Sequence, residues 1–171
     1  MAELTPKERL QPSLLDRLND NEPDQQQEAR EKRVLSMRKL RESVQRDLAW
    51  LLNSSNLETV QDLDEYPLVS HSVINYGLPD LAGKAASGID LAGVERMLRQ
   101  AIWDFEPRIL RNTVKVRSVV ASDQMNRNAV AFEIEGDLWA QPVPLHLFLR
   151  TEIDLDSGSF SVSDSTASGT G

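Results

Sequence analysis

The residues of this chain best equipped for chemistry are Glu106 and Arg108, set on either side of Pro107, and the two histidines, His71 and His146. A carboxylate two positions from a guanidinium can do one of two things. It can move protons, if its surroundings tune its affinity for them. It can also present a rigid acid–base pair to another surface, since arginine pairs bidentately with carboxylates. A further set of acids, Glu133, Glu135, Glu152 and Asp154, falls at alternate positions of two strand-like segments. Glycoside hydrolysis would need two carboxyls held about 5 Å or about 6.5–9.5 Å apart across a cleft. Alternation alone does not define that separation, and acids at alternate strand positions are the ordinary pattern of a solvated face. His71 falls in a short helix and His146 on the polar side of a strand, where structural or surface roles are the plain expectation. The sequence holds no G-x-x-x-x-G-K-[ST], no G-x-G-x-x-G after a strand, no H-E-x-x-H and no G-x-S-x-G. No catalytic residue, cofactor site or metal ligand is singled out. The absence of cysteine rules out disulfides and thiolate metal sites, and makes a reducing compartment unremarkable.

The elements around Pro107 decide what the triplet can be. Proline has no N–H and disfavours helical geometry in the residue before it, so Glu106 is expected to end a helix. On its N-terminal side, Leu91, Val94, Leu98, Ala101 and Phe105 step by three and four, with Asp90 in capping position. On its C-terminal side the period becomes two. Val114, Val116 and Val120 alternate with Lys115, Arg117 and Val119, and Val130, Phe132 and Ile134 alternate with Ala131, Glu133 and Glu135. The longest such run is Leu145, Leu147, Leu149, Thr151, Ile153 and Leu155, and Phe160 and Val162 resume it after a turn at Asp156-Ser157-Gly158. The triplet is therefore a hinge between helix and sheet.

Upstream, a long helix is expected over 28–53, with Val34, Met37, Leu40, Val44, Leu48 and Leu51 on one stripe and Trp50 off it. A polar end at Asn53-Ser54-Ser55-Asn56 closes it, and 57–65 is expected to be loop or a single helical turn. A short helix over 66–79 is punctuated by Pro67, Gly77 and Pro79, and 84–88 is small and flexible. Nearer the start, Ser13 and Asp16 suggest a capping box for a short helix over 10–19 bearing Leu14, Leu15 and Leu18. About two turns are marginal in water without a surface to dock on. That surface is either a partner chain or the helix's own domain.

Helices first and strands last predict an α+β fold, with N-terminal helices packed on one face of a small, mainly antiparallel C-terminal sheet. The expected organisation is a docking helix and polar linker over 1–27, a single domain over 28–162 and a disordered tail over 163–171. The net charge is −8, yet 28–46 carries seven bases against three acids, a net of +4. The remainder, twelve bases against twenty-four acids, is −12. Such an acidic chain is a poor nucleic-acid binder, because phosphate contact is chiefly electrostatic. The basic segment suits either an acidic protein partner or plain solvent. Without an apolar leader or a run of about 20 apolar residues, a cytoplasmic location with no membrane insertion is expected.

Several segments together resemble the TssE family, the baseplate subunits of bacterial type VI secretion systems, and the wider phage family of baseplate wedge proteins labelled lysozyme-like. They are Arg9-Leu10-Gln11-Pro12-Ser13-Leu14-Leu15-Asp16-Arg17-Leu18, Val44-Gln45-Arg46-Asp47-Leu48-Ala49-Trp50-Leu51-Leu52-Asn53, Ser72-Val73-Ile74-Asn75-Tyr76-Gly77-Leu78-Pro79-Asp80-Leu81, the Glu106-Pro107-Arg108 triplet and Thr151-Glu152-Ile153-Asp154. The resemblance implies a structural part rather than an enzyme. It implies baseplate partners TssF, TssG and TssK, and initiation of the contractile TssB–TssC sheath. It also implies protein binding by Glu106, Pro107 and Arg108, against a core helical bundle of the wedge. Read from the residues alone, Glu106 and Arg108 could instead pair within the domain and pin the corner. An open edge on the last strand could accept a partner's strand. A peptidoglycan hydrolase and a generic cytosolic adaptor are the competing readings.

Overall fold

The computed structural model describes residues 13–18, 37–83, 89–119, 129–140 and 143–164. The expected linker, the first nine residues of the long helix, the small segment 84–88, Val120 and most of the tail lie outside these. Among the described residues, four helices, α1 (Leu14–Leu18), α2 (Met37–Leu52), α3 (Pro67–Ser70) and α4 (Leu91–Phe105), precede four strands. The strands are β1 (Lys115–Val119), β2 (Ala129–Leu138), β3 (Leu145–Asp154) and β4 (Phe160–Asp164). They form one sheet in the order β1-β2-β3-β4, every neighbouring pair antiparallel. The chain is α+β, helices first and sheet last, as the periodicities predict. None of the described helices is long and apolar enough to cross a membrane.

Register explains the core. Val116, Ile134 and Leu149 stand opposite one another on the inner face, and Phe132, Thr151 and Val162 make the next row. Leu147, Leu149, Ile153 and Phe132 are essentially inaccessible. Against them α2 sets Leu40, Val44, Leu48 and Leu51, and α4 sets Val94, Leu98, Ala101 and Ile102. The α2 stripe falls at the predicted spacing, with Trp50 off it and about half exposed. On α4, Val94, Leu98 and Ala101 keep the predicted spacing, Ile102 joins them, Phe105 is only partly buried and Leu91 in the first turn is exposed. Burying such aliphatic side chains contributes about 1.5–3 kcal/mol each, which is what holds two helices on a four-stranded sheet. On the outer face Arg117, Glu133 and Arg150 stand opposite one another, a row of alternating charge.

Each sheet edge takes side-chain hydrogen bonds from the helical layer. The β1 edge gives its Ser118 N–H to Glu95 of α4 at 2.7 Å. On the β4 edge, Asn53, just past the end of α2, accepts from the Phe160 N–H and donates to the Phe160 carbonyl, both at 2.9 Å, and Gln45 of α2 donates to the Val162 carbonyl at 3.1 Å. Three outward-facing groups of the last strand, the Phe160 N–H and the Phe160 and Val162 carbonyls, are thus already bonded. The edge expected to be open is partly covered by side chains from and just after α2. The strand also runs to Asp164, two residues past the expected boundary, pairing Ser163 with Arg150.

The segment 66–79 is not one helix. α3 stops at Ser70, and Ser72 starts a separate 3-10 turn over Val73–Asn75 by accepting from the Ile74 N–H. A serine that bonds the backbone locally competes with helix propagation, and here it wins. Gly77 has φ +121°, and a Cβ there would lie 2.2 Å from the Ser54 carbonyl oxygen, so only glycine lets this loop meet the end of α2. Asp90 occupies the predicted cap of α4 without making a cap bond; its carboxylate faces Arg96 at 3.4 Å.

Candidate functional site

α4 ends at Phe105 with Glu106 as its C-cap, as the proline dictates. The chain then turns along the end of β2. The Leu110 N–H donates to the Asp137 carbonyl at 2.8 Å, and the Trp139 N–H donates to the Arg108 carbonyl at 2.7 Å. This fixes the Arg108 backbone from both sides and aims its side chain back at α2.

There the triplet closes on its own domain. Arg108 Nε donates to Glu106 Oε1 at 2.7 Å, a terminal nitrogen donates to Glu106 Oε2, and the Arg108 backbone N–H adds a third bond to the same carboxylate at 3.1 Å. The guanidinium also reaches Asp47 at 2.6 Å and the Ser43 hydroxyl at 3.3 Å, both on α2. Glu106 is buried, Pro107 is exposed, and a quarter of the Arg108 side chain remains accessible. Burial opposes the charge on Arg108. The hydrogen bonds and charge of Glu106, then of Asp47, more than offset it and raise the pKa above the ordinary arginine value. The intradomain pairing that the residues alone left open is what the geometry contains.

The chain of charges continues to the N-terminal helix. Arg46 donates twice to Asp47 Oδ1, at 2.7 and 2.9 Å, and once to Asp16 Oδ1 on α1 at 2.7 Å. The other Asp16 oxygen accepts from Ser13 Oγ at 2.6 Å, and the Asp16 N–H donates to that hydroxyl, which is the local bonding the Ser13–Asp16 spacing predicts. The described part of α1 folds back on its own domain with Leu14 and Leu18 about 70% exposed. Burial would raise the Asp16 pKa, but Ser13 and Arg46 hold it below the usual aspartate value.

Around this network lies an open groove of about 560 Å³. Its lining joins Glu106, Pro107, Arg108 and Asp47 to Leu15, Trp50, Tyr76 and Phe105. Tyr76 meets Phe105 edge-on with ring centroids 5.3 Å apart, and the Arg46 guanidinium covers Trp50 at 5.1 Å. Burial, then the negative charge of Asp47 and Glu106, raises the Tyr76 pKa. A groove lined by both an ion network and aromatic side chains can seat a partner side chain or helix.

The other candidates do not converge here. Glu133 and Glu135 lie on the outer sheet face, where Lys115 approaches Glu135 at 3.8 Å. Glu152 lies opposite Ser161 on that face, and Asp154 accepts the N–H groups of Asp156 and Ser157 in the β3–β4 turn. His71 Nδ1 lies 2.8 Å from Asp104, and His146 Nδ1 lies 2.9 Å from Asp137, in separate places. Sequence reasoning missed Asp47, Ser43, Trp50 and Tyr76 as parts of the site. One signal was available: Ser43 and Asp47 interrupt a 40-43-47-51 row on α2 with two polar residues four apart, the spacing of side chains that share a partner.

Among the described residues, the α+β domain thus presents a groove with an internal charge network and several aromatic lining residues, and neither histidine lines it. The family model for baseplate wedge protein gp25 matches residues 38–143, well over half of the sequence, and the chain belongs to that family. With it comes a structural role in the baseplate of a contractile injection machine and contact with other baseplate proteins. No curated protein and no solved structure matches the chain.

Proposed function

We propose that this chain is the TssE-type subunit of a type VI secretion baseplate, working in the cytoplasm as a structural part and not as a peptidoglycan hydrolase. It joins the wedge of TssF and TssG with TssK, and starts polymerisation of the TssB–TssC sheath. The observation that carries the reading is the groove over Glu106, Pro107 and Arg108 in a chain of the gp25 family. In this reading the triplet binds as a shaped surface. Glu106 spends its charge on Arg108, Arg108 ties the corner to α2, and the exposed Pro107 with the groove walls meets the helical bundle of the wedge. Sheath contact by strand addition at β4 would begin with release of Phe160 and Val162 from Asn53 and Gln45.

Trp50→Ala tests the groove without removing any charged member of the ion network, although Arg46 loses the ring it covers. It removes an exposed wall and one cation–π contact of about 0.5–1 kcal/mol, so the melting temperature should fall by only a few degrees. Co-purification of TssF–TssG should be lost. Undiminished co-purification from a folded variant overturns the docking role. Incubation with peptidoglycan separates the hydrolase reading: sustained turnover abolished by Glu106→Gln would overturn the assembly reading.

A further inference from the structure

A second surface lies beside the groove, on the segment between α2 and α4. Its three short turns, Leu57–Thr59, α3 and Val73–Asn75, are knit into one lobe by a single buried side chain. Asn75 accepts from the Glu58 N–H and donates to the Ser70 carbonyl, both at 2.9 Å. Leu63 anchors the lobe from below, and His71 pins it to Asp104 of α4.

The lobe then turns large apolar side chains to solvent. Leu68 is 89% exposed, Val60 and Val73 81%, Ile74 66% and Tyr66 55%. A rigid turn with five such side chains outward has a cost in water that covering them would remove, which is the signature of an interaction surface. Between 57 and 75 there are four acids, Glu58, Asp62, Asp64 and Glu65, and no lysine or arginine. All four are exposed, and among the described residues none is in an ion pair. The lobe also continues into the groove wall, since Tyr76 follows its last turn directly.

We infer that this lobe docks a basic amphipathic helix of a partner protein, its apolar stripe covering Leu68, Val73 and Ile74 and its lysines or arginines meeting the acidic rim. The acids argue against an anionic lipid surface, which would be repelled. They select a cationic occupant, and a helix presents apolar anchors at the three- and four-residue spacing that such a lobe can take up.

The experiment titrates the whole isotopically labelled chain with a synthetic peptide of about 18 residues, five helical turns, patterned from leucine and lysine. Amide shifts should concentrate in 57–75, and affinity should fall as salt rises. A peptide of the same pattern with glutamate in place of lysine should not bind. The double variant Leu68→Ser, Val73→Ser changes only exposed side chains, so its melting temperature should hold while affinity drops at least about tenfold. Shifts centred elsewhere, equal binding of the glutamate peptide, or unchanged affinity in the folded double variant overturn the inference. So does concentration-dependent dimerisation through the lobe, which would make a second copy the occupant, or co-sedimentation with phosphatidylglycerol vesicles.

Discussion

Arg108 does more inside this domain than a surface arginine can. Its guanidinium satisfies a carboxylate that is 4% exposed and reaches across to a second one on α2. Removing one partner of such a pair strands the other as an uncompensated charge in a poor solvent. Arg108→Ala should therefore cost about 3 kcal/mol, while Glu106→Gln, which leaves an acceptor on the same stem and Asp47 still facing the arginine, should cost less than half of that. The double variant should lose less than the sum of the two, because the stranded charge is gone. Urea denaturation of the three proteins checks the order, and additive losses would mean that the two residues are not coupled in the folded state. The sequence made the corner legible because proline chemistry is local. It could not make Asp47 legible as the third member, because 61 residues separate it from Arg108 and only the packing of α2 beside α4 brings the two together.

At the scale of elements, the fold depends on helices that finish the sheet's hydrogen bonding. Asn53 holds both outward-facing groups of Phe160, so one side chain replaces what a fifth strand would supply. Asn53→Ala should cost about 2 kcal/mol and speed amide exchange at Phe160 well before exchange rises in β2 or β3. Uniform acceleration across the sheet would mean that β4 has no independent edge to open. Strand periodicity was readable, and so were both helical stripes, because burial on one face imposes a period of two or about 3.6. Two features were not. The break at Ser72 follows from a side chain competing with the backbone, and the partial cover of the β4 edge follows from a contact 107 residues long.

For the molecule as a whole, two of the contacts that tie the periphery to the core, those of Glu95 and Asp16, use carboxylates in their charged form. The Glu95 pKa is lowered first by the Ser118 backbone N–H it accepts and then by the Ser118 side chain. Asp16 is also lowered, with Ser13 and Arg46 outweighing its burial. A carboxyl whose folded pKa lies below its unfolded one adds stability that is complete above the unfolded value. That stability is lost as pH falls through the folded value. Stability should therefore hold from neutrality down to about pH 5 and fall below about pH 4, as both groups take up protons. Amide exchange at Ser118 should rise in that same window, and Glu95→Gln should flatten its pH dependence. An unchanged Ser118 profile in that variant would remove Glu95 from the acid response.

The bonds between Asn53 and Phe160 also set a schedule for biosynthesis. At about 5–20 residues per second, the ribosome makes α2 roughly 5–20 s before the strand that completes it. The meander has pairings between sequence neighbours and can assemble as it emerges. α2 cannot finish, and for that interval it carries Leu48 and Leu51 toward a surface whose last strand is still unmade. The nascent chain is thus most open to chaperones, and most prone to stray association, just before its final strand arrives.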